Sequence, residues 1–160
     1  MSTGAAAQQG YPDKPIRLIV PYAAGSFSDA LGRQLAQWLT QNLGQPFVVE
    51  NKPGAATIIG IDAVAKSPAD GYTLLLATGA LTIKASTWYQ LLAPAGTPAP
   101  IIAKLNEQAL KFVNDPSTRD KLLAQGAILG GSTPAQLAEY SRAETRRWGA
   151  LISKTGIKLD

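Results

Sequence analysis

The chain reads as an α/β protein in which a parallel-rich sheet carries helices on both faces, in three layers. Three observations carry that reading. Short apolar runs of strand length occur at Ile16 to Val20, Phe47 to Glu50 and Tyr72 to Ala77; segments with helical periodicity lie between them; and Gly or Pro breakers mark the junctions. Strand, helix, strand, helix, strand in that order requires right-handed crossovers.

The first strand is a uniform run of the kind buried on both faces. Its helix opens at Ser26-Phe-Ser-Asp29, a hydroxyl followed three residues on by an acid. Leu31, Leu35, Trp38, Leu39 and Leu43 then share one helical face until Gly44 ends it. The second strand is closed by Pro53-Gly54. Thr57 to Lys66 reads as a shorter helix with Ile58, Ile61, Val64 and Ala65 at core spacing, stopped by Ser67-Pro-Ala-Asp-Gly71. After the third strand, Thr87 to Ala93 is a fourth strand candidate with a different approach. Thr97-Pro98 supplies a cap and a proline at the first helical position, and Ile101, Ile102, Leu105, Ala109 and Phe112 share a face of the helix that follows. Asp115-Pro116 repeats that start, for a helix with Leu122 and Leu123 that ends at Gly126. Ala127 to Leu129 is a candidate edge strand. Ser132-Thr-Pro134 opens the last helix, which carries Leu137, Tyr140, Leu151 and Ile152.

Composition bounds the function. A chain of 160 residues with 46% hydrophobic and 16% charged residues fits one domain with a sizeable core. The net charge is +4, yet the cations are scattered and the one tight pair, Arg146-Arg147, sits late in a helix where it suits the macrodipole, so no nucleic-acid partner is expected. Cysteine and histidine are both absent, which excludes disulfides, the usual zinc sites and every triad with an imidazole base. Neither metal nor cofactor is expected. There is no Gly-x-Ser-x-Gly elbow, no Gly-x-Gly-x-x-Gly and no phosphate loop, so an enzyme is not expected either. No apolar run approaches the roughly 20 residues that span a bilayer. Residues 1 to 11 read as a disordered leader without a signal peptide, in which Ala5-Ala-Ala-Gln-Gln9 has the look of a cleavage-site remnant.

Four separated motifs carry a resemblance: Lys14-Pro-Ile-Arg-Leu-Ile-Val-Pro-Tyr22, Val48-Val-Glu-Asn-Lys-Pro-Gly54, Asp70-Gly-Tyr-Thr-Leu-Leu-Leu76 and Leu91-Leu-Ala-Pro-Ala-Gly-Thr-Pro98. A similar ending follows at Arg142-Ala-Glu-Thr-Arg-Arg-Trp148 and Gly156-Ile-Lys-Leu-Asp160. In this order they resemble the Bug family, the periplasmic substrate-binding proteins of tripartite tricarboxylate transporters. The resemblance implies one lobe of a type II periplasmic-binding-protein fold, a periplasmic location, transporter components in the membrane as partners, and a small dicarboxylate or aromatic carboxylate as ligand. Where the family inserts a second lobe, this chain has only Ala80-Leu-Thr-Ile-Lys-Ala85, so residues 12–82 and 83–160 read as one lobe rejoined by deletion or engineering. Weak or absent binding is expected of such a lobe, as is a possible homodimer through the face that the second lobe would cover.

Ligands of open parallel sheets collect beyond the carboxyl ends of the strands. Three loops arrive there, Tyr22 to Asp29, Asn51 to Thr57 and Thr78 to Thr82, all rich in small or hydroxyl residues that suit main-chain and water-mediated binding of a carboxylate. The family's use of the first and third loops carries over to Tyr22, Ala23, Gly25, Ser26, Phe27, Ser28, Asp29, Thr78 and Gly79. Structural alternatives stand beside these roles. Ser26 and Asp29 serve equally as helix caps, Tyr22 as a cover for the sheet end, Thr78 as a strand terminus and Gly54 as a turn glycine. Trp38, Trp88 and Trp148 read as core or seam aromatics rather than a stacking platform. Asp29 would repel an anion, so orienting the loop is its expected role. Members of the family commonly show glycines where this chain has Ser26-Phe27-Ser28 and Ala55-Ala56-Thr57, and Phe27 offers an apolar or aromatic contact in their place.

Overall fold

The computed structural model describes residues 10–78, 88–127 and 130–155. Two compact units divide the chain after Phe112. The first unit holds four strands, β1 (Ile16–Val20), β2 (Phe47–Asn51), β3 (Thr73–Thr78) and β4 (Tyr89–Leu92), with helices α1 (Phe27–Leu43), α2 (Ile58–Ala65) and most of α3 (Ala99–Asn114). The second holds α4 (Pro116–Leu123) and α5 (Pro134–Thr155).

The sheet order is β2-β1-β3-β4, parallel except for β4, which runs antiparallel to β3. The chain therefore moves from β1 outward to β2 and back across to β3. Two right-handed crossovers in opposite directions lay α1 and α2 on opposite faces. Burial agrees strand by strand. Ile19, Leu75 and Ala77 pack with Val64 of α2, whereas Val20 and Leu76 close on Gly32 of α1, within 2.9 and 3.4 Å of where its Cβ would be. This is a mixed sheet covered on both faces, as expected from sequence.

Local chemistry sets the helix ends. Ser26 caps α1 by accepting the Asp29 N–H, and Gly44, left-handed at φ 75°, ends it. Asp115 caps α4 by accepting the Thr118 N–H at 2.8 Å. Thr133 and Gln136 exchange bonds at 2.8 and 3.2 Å, the reciprocal cap that starts α5.

Several expectations are corrected. Of the face expected to bury α2, only Val64 is in the core; Ile58 and Ile61 are 63% and 43% exposed, and Ala65 is exposed as well. Gly60 replaces them, because its bare Cα lets the helix approach Pro21, whose Cβ would lie 2.7 Å from a Cβ at position 60. Thr97 does not cap α3: its hydroxyl donates to the Pro94 carbonyl at 2.8 Å, and the helix begins at Ala99. Tyr11, expected within the leader, is held in place. Tyr11 is buried, its hydroxyl donates to the Gly71 carbonyl at 2.8 Å, and its ring meets Tyr72 edge-on at 5.1 Å. Burial raises its phenol pKa, with Tyr72 and Asp70 adding to the shift. The expected edge strand at residues 127–129 falls largely outside the described residues, as do the side chains of Trp148, Leu151 and Ile152.

Candidate functional site

The order β2-β1-β3 reverses direction between β1 and β3, so the crevice of this sheet opens at the carboxyl ends of those two strands. The loop after β1 crosses it. Gly25, at φ 80°, turns its N–H onto Oδ2 of Asp29 at 2.9 Å, a conformation that a side chain would strain. Asp29 is 4% exposed. Its carboxylate also accepts Arg33 Nε at 3.1 Å and Asn51 Nδ2 at 3.0 Å, and the same Asn51 nitrogen donates to the Tyr22 carbonyl at 3.0 Å. The Gly25 N–H, then Arg33 and Asn51, hold the Asp29 carboxyl down at about 2. Asp29 thus organises the loop, in keeping with the role expected of it, and Gly25 spends its amide on that acid instead of facing outward. Ser26 likewise spends its hydroxyl on the Asp29 N–H at 3.2 Å.

Among the groups left at this rim are two pairs of hydroxyls. The Tyr22 hydroxyl is bonded to the Thr78 hydroxyl and accepts the Thr78 N–H at 3.2 Å. Thr78 faces Tyr89 across the β3–β4 pair, and the Tyr89 hydroxyl is 3.2 Å from Ser28 Oγ. Each hydroxyl pair owns two protons and uses one internally. One proton per pair therefore remains to donate, and among the described residues no acceptor takes it. Phe27, 37% exposed, sets its ring beside Tyr89 with centroids 5.8 Å apart. Ala23 is exposed and supplies only backbone.

The structure thus brings together Tyr22, Thr78, Ser28 and Phe27, and turns Gly25, Ser26 and Asp29 to building the loop. Gly79 lies outside the described residues. Sequence reasoning missed Arg33 and Tyr89 as parts of this site, and had Asn51 only as the start of a loop that reaches it. For Tyr89 a signal existed: an antiparallel fourth strand must start at the rim where the parallel strands end. The loop after β2 is unusual, with Ala55, Ala56 and Thr57 at φ 44°, 49° and 80°. Among the described residues no cluster of acids is placed to hold a metal ion, and no helix is long and apolar enough to cross a membrane.

Part of the sequence, and the fold, are matched by known proteins. Residues 31–84 match the tripartite tricarboxylate transporter family receptor. That stretch runs from α1 through β3 and includes Arg33, Asn51 and Thr78. Protein BugT of Bordetella pertussis is 54% identical over 68 residues, covering 42% of this chain and 21% of its own. The chain thus spans about a fifth of that relative's length. A solved periplasmic transporter superposes over 94% of this chain and 100% of its own with a TM-score of 0.82 at 21% identity. An R. palustris protein solved with adipate does so over 92% of this chain and 99% of its own, at 0.80 and 18%. At such identities these two superpositions establish the fold. The matched family is one of transport receptors, which bind solutes and do not catalyse.

Proposed function

We propose that this chain is a solute-binding lobe for small organic carboxylates, acting without catalysis in the periplasm as part of the receptor that feeds a tripartite tricarboxylate transporter. The observation that carries the reading is the gathering of two hydroxyl pairs at the β1/β3 crevice, each with one proton that finds no acceptor among the described residues. Donors without a fixed positive charge suit an anion that must be released again. The family match over residues 31–84 and the adipate held by a protein of the same fold support the same ligand class, dicarboxylates included. One lobe presents a single wall, so its hydrogen bonds compete with water and the affinity of the 160-residue chain is weak.

The test is a titration with mono- and dicarboxylates followed by NMR shifts of Tyr22, Thr78 and Ser28. A hydrogen bond to a charged group is worth about 1.5–3 kcal/mol, so Tyr22→Phe combined with Thr78→Val, which removes both protons of the pair, should weaken binding about ten-fold or more. Unchanged affinity in that variant would remove the hydroxyl pair from the site, and turnover of an ester would overturn the non-catalytic reading.

A second reading has one observation in its favour. Ile58, Ile59 and Ile61 expose 63%, 52% and 43% of their surface on α2. An isolated lobe with no binding activity that self-associates through such a face accounts for them. Light scattering of the parent chain and of Ile59→Lys decides it: a dimer abolished by the charge supports self-association, and a monomer in both rejects it.

A further inference from the structure

Asn51 ends β2 opposite Val20 of β1, where the ladder closes with the Lys52 N–H donating to the Val20 carbonyl at 2.9 Å. Its side-chain nitrogen has two protons, and both are used, on the Tyr22 carbonyl and on Asp29 Oδ1, each at 3.0 Å. Its oxygen accepts Arg33 Nη2 at 3.2 Å. Ionised Asp29 offers only acceptors and Arg33 only donors, so the amide satisfies both in one orientation alone, the one that turns its nitrogen to Tyr22. Tyr22 is gripped from the other side as well. Its hydroxyl is bonded to the Thr78 hydroxyl and accepts the Thr78 N–H at 3.2 Å. A residue just past the end of β1 thus spans the sheet, with its main chain tied to the last residue of β2 and its side chain to the last residue of β3.

We propose that Asn51 is a positioning residue of the crevice, which sets the place of the Tyr22–Thr78 hydroxyl pair by holding the Tyr22 carbonyl and so governs ligand affinity from outside the contact. The proposal rests on the carboxylate-binding reading above and adds to it a residue of the second strand. The tyrosine side chain is a long lever, so a small turn of the peptide at Tyr22 carries its hydroxyl away from Thr78. A site works only when its groups are held close to the productive geometry by such supporting bonds. Asn51 supplies the one at the main-chain end of the lever.

Two readouts test this in the whole chain. The first needs no ligand: in the free protein the Thr78 amide, which reports its bond to the Tyr22 hydroxyl, should change its NMR shift in Asn51→Ala and change no further when Asn51→Ala is added to Tyr22→Phe. The second is propionate affinity, read by NMR titration. Asn51→Ala should lower it about ten-fold, the loss of one hydrogen bond to a charged group, and should cost almost nothing more in the Tyr22→Phe background. Asn51→Asp keeps the size and the acceptor for Arg33 but has no donor, so it should reproduce both effects and serves as the second variant if alanine prevents folding. A Thr78 amide that ignores position 51, or affinity losses that simply add between Asn51→Ala and Tyr22→Phe, overturns the positioning role and leaves carboxylate binding standing. Absence of propionate binding in the parent chain, with the Thr78 amide responding as expected, overturns the carboxylate reading and leaves the Asn51–Tyr22 linkage in place.

Discussion

The carboxylate of Asp29 accepts the backbone N–H of Gly25 at 2.9 Å, closing the loop after β1 with an acid from the helix that the loop introduces. Asn51, the last residue of β2, donates to the same carboxylate, so the ends of two adjacent strands are tied through one buried side chain.

Acid should loosen this tie. The Asp29 carboxyl sits at about 2 in the folded chain against 3.8 ordinarily. Between those values the unfolded chain binds a proton that the folded chain does not, so the contribution is present above the ordinary value and lost as pH falls toward the lower one. Urea unfolding from pH 6 downward should show stability falling through that window. Asp29→Asn should be less stable at pH 6 and show a shallower fall; an identical pH profile would contradict the assignment.

Glycine should relieve the loop after β2. Three successive residues without glycine's freedom, Ala55, Ala56 and Thr57, lie at positive φ. A left-handed side-chain residue costs about 1–2 kcal/mol, and glycine gives back roughly 0.5–1 kcal/mol of that through the unfolded state. Ala56→Gly should therefore stabilise the chain by about 0.5–1 kcal/mol, measured as a raised urea midpoint with unchanged slope.

Gly60→Ala should be costly. A Cβ there would stand 2.7 Å from the Pro21 Cβ and 3.1 Å from the Lys52 carbonyl, neither of which can swing away. Overpacking of this kind costs about 1–3 kcal/mol. Gly126→Ala, where nothing lies within 4 Å, should cost only the backbone strain of φ 82°. Thermal unfolding of the two variants reads the difference.

The Arg17–Glu50 pair joins β1 and β2 through two bonds of 2.6 and 2.8 Å. Its side chains are 46% and 32% exposed, which limits its worth to about 0.5–1 kcal/mol despite the two-pronged geometry. Arg17→Met should lose that amount at low salt and less in 1 M salt, where screening has already weakened the pair.

Much of the fold was legible because its signals are local. Ser26, Gly44, Asp115 and Thr133 mark helix ends by bonds to residues three or four positions away, and those bonds form as the spacing implies. The buried strands were legible from uninterrupted apolar runs. The face of α2 was not, because Ile58-Ile59-Gly60-Ile61 has no polar side to mark solvent, and a glycine leaves no side chain by which to announce a close approach. In the site, Tyr22 and Thr78 were legible as loop and strand termini, whereas the partnership of Ser28 with Tyr89 spans 61 positions and depends on the antiparallel return of β4. Gly25 and Asp29 were legible as a turn and a cap. That the amide of one is consumed by the carboxylate of the other is a matter of side-chain direction, which spacing alone does not give.

The central placement of β1 has a kinetic consequence. Arg17 must wait for Thr73 to be made before its second edge can be paired, and both of its ladders are reached only through a helical crossover. Ribosomal synthesis therefore delivers this strand long before its last partner, and parallel pairing across such sequence separations is intrinsically slow. During that interval Ile16, Leu18 and Ile19, wholly hidden in the finished protein, are open to a chaperone.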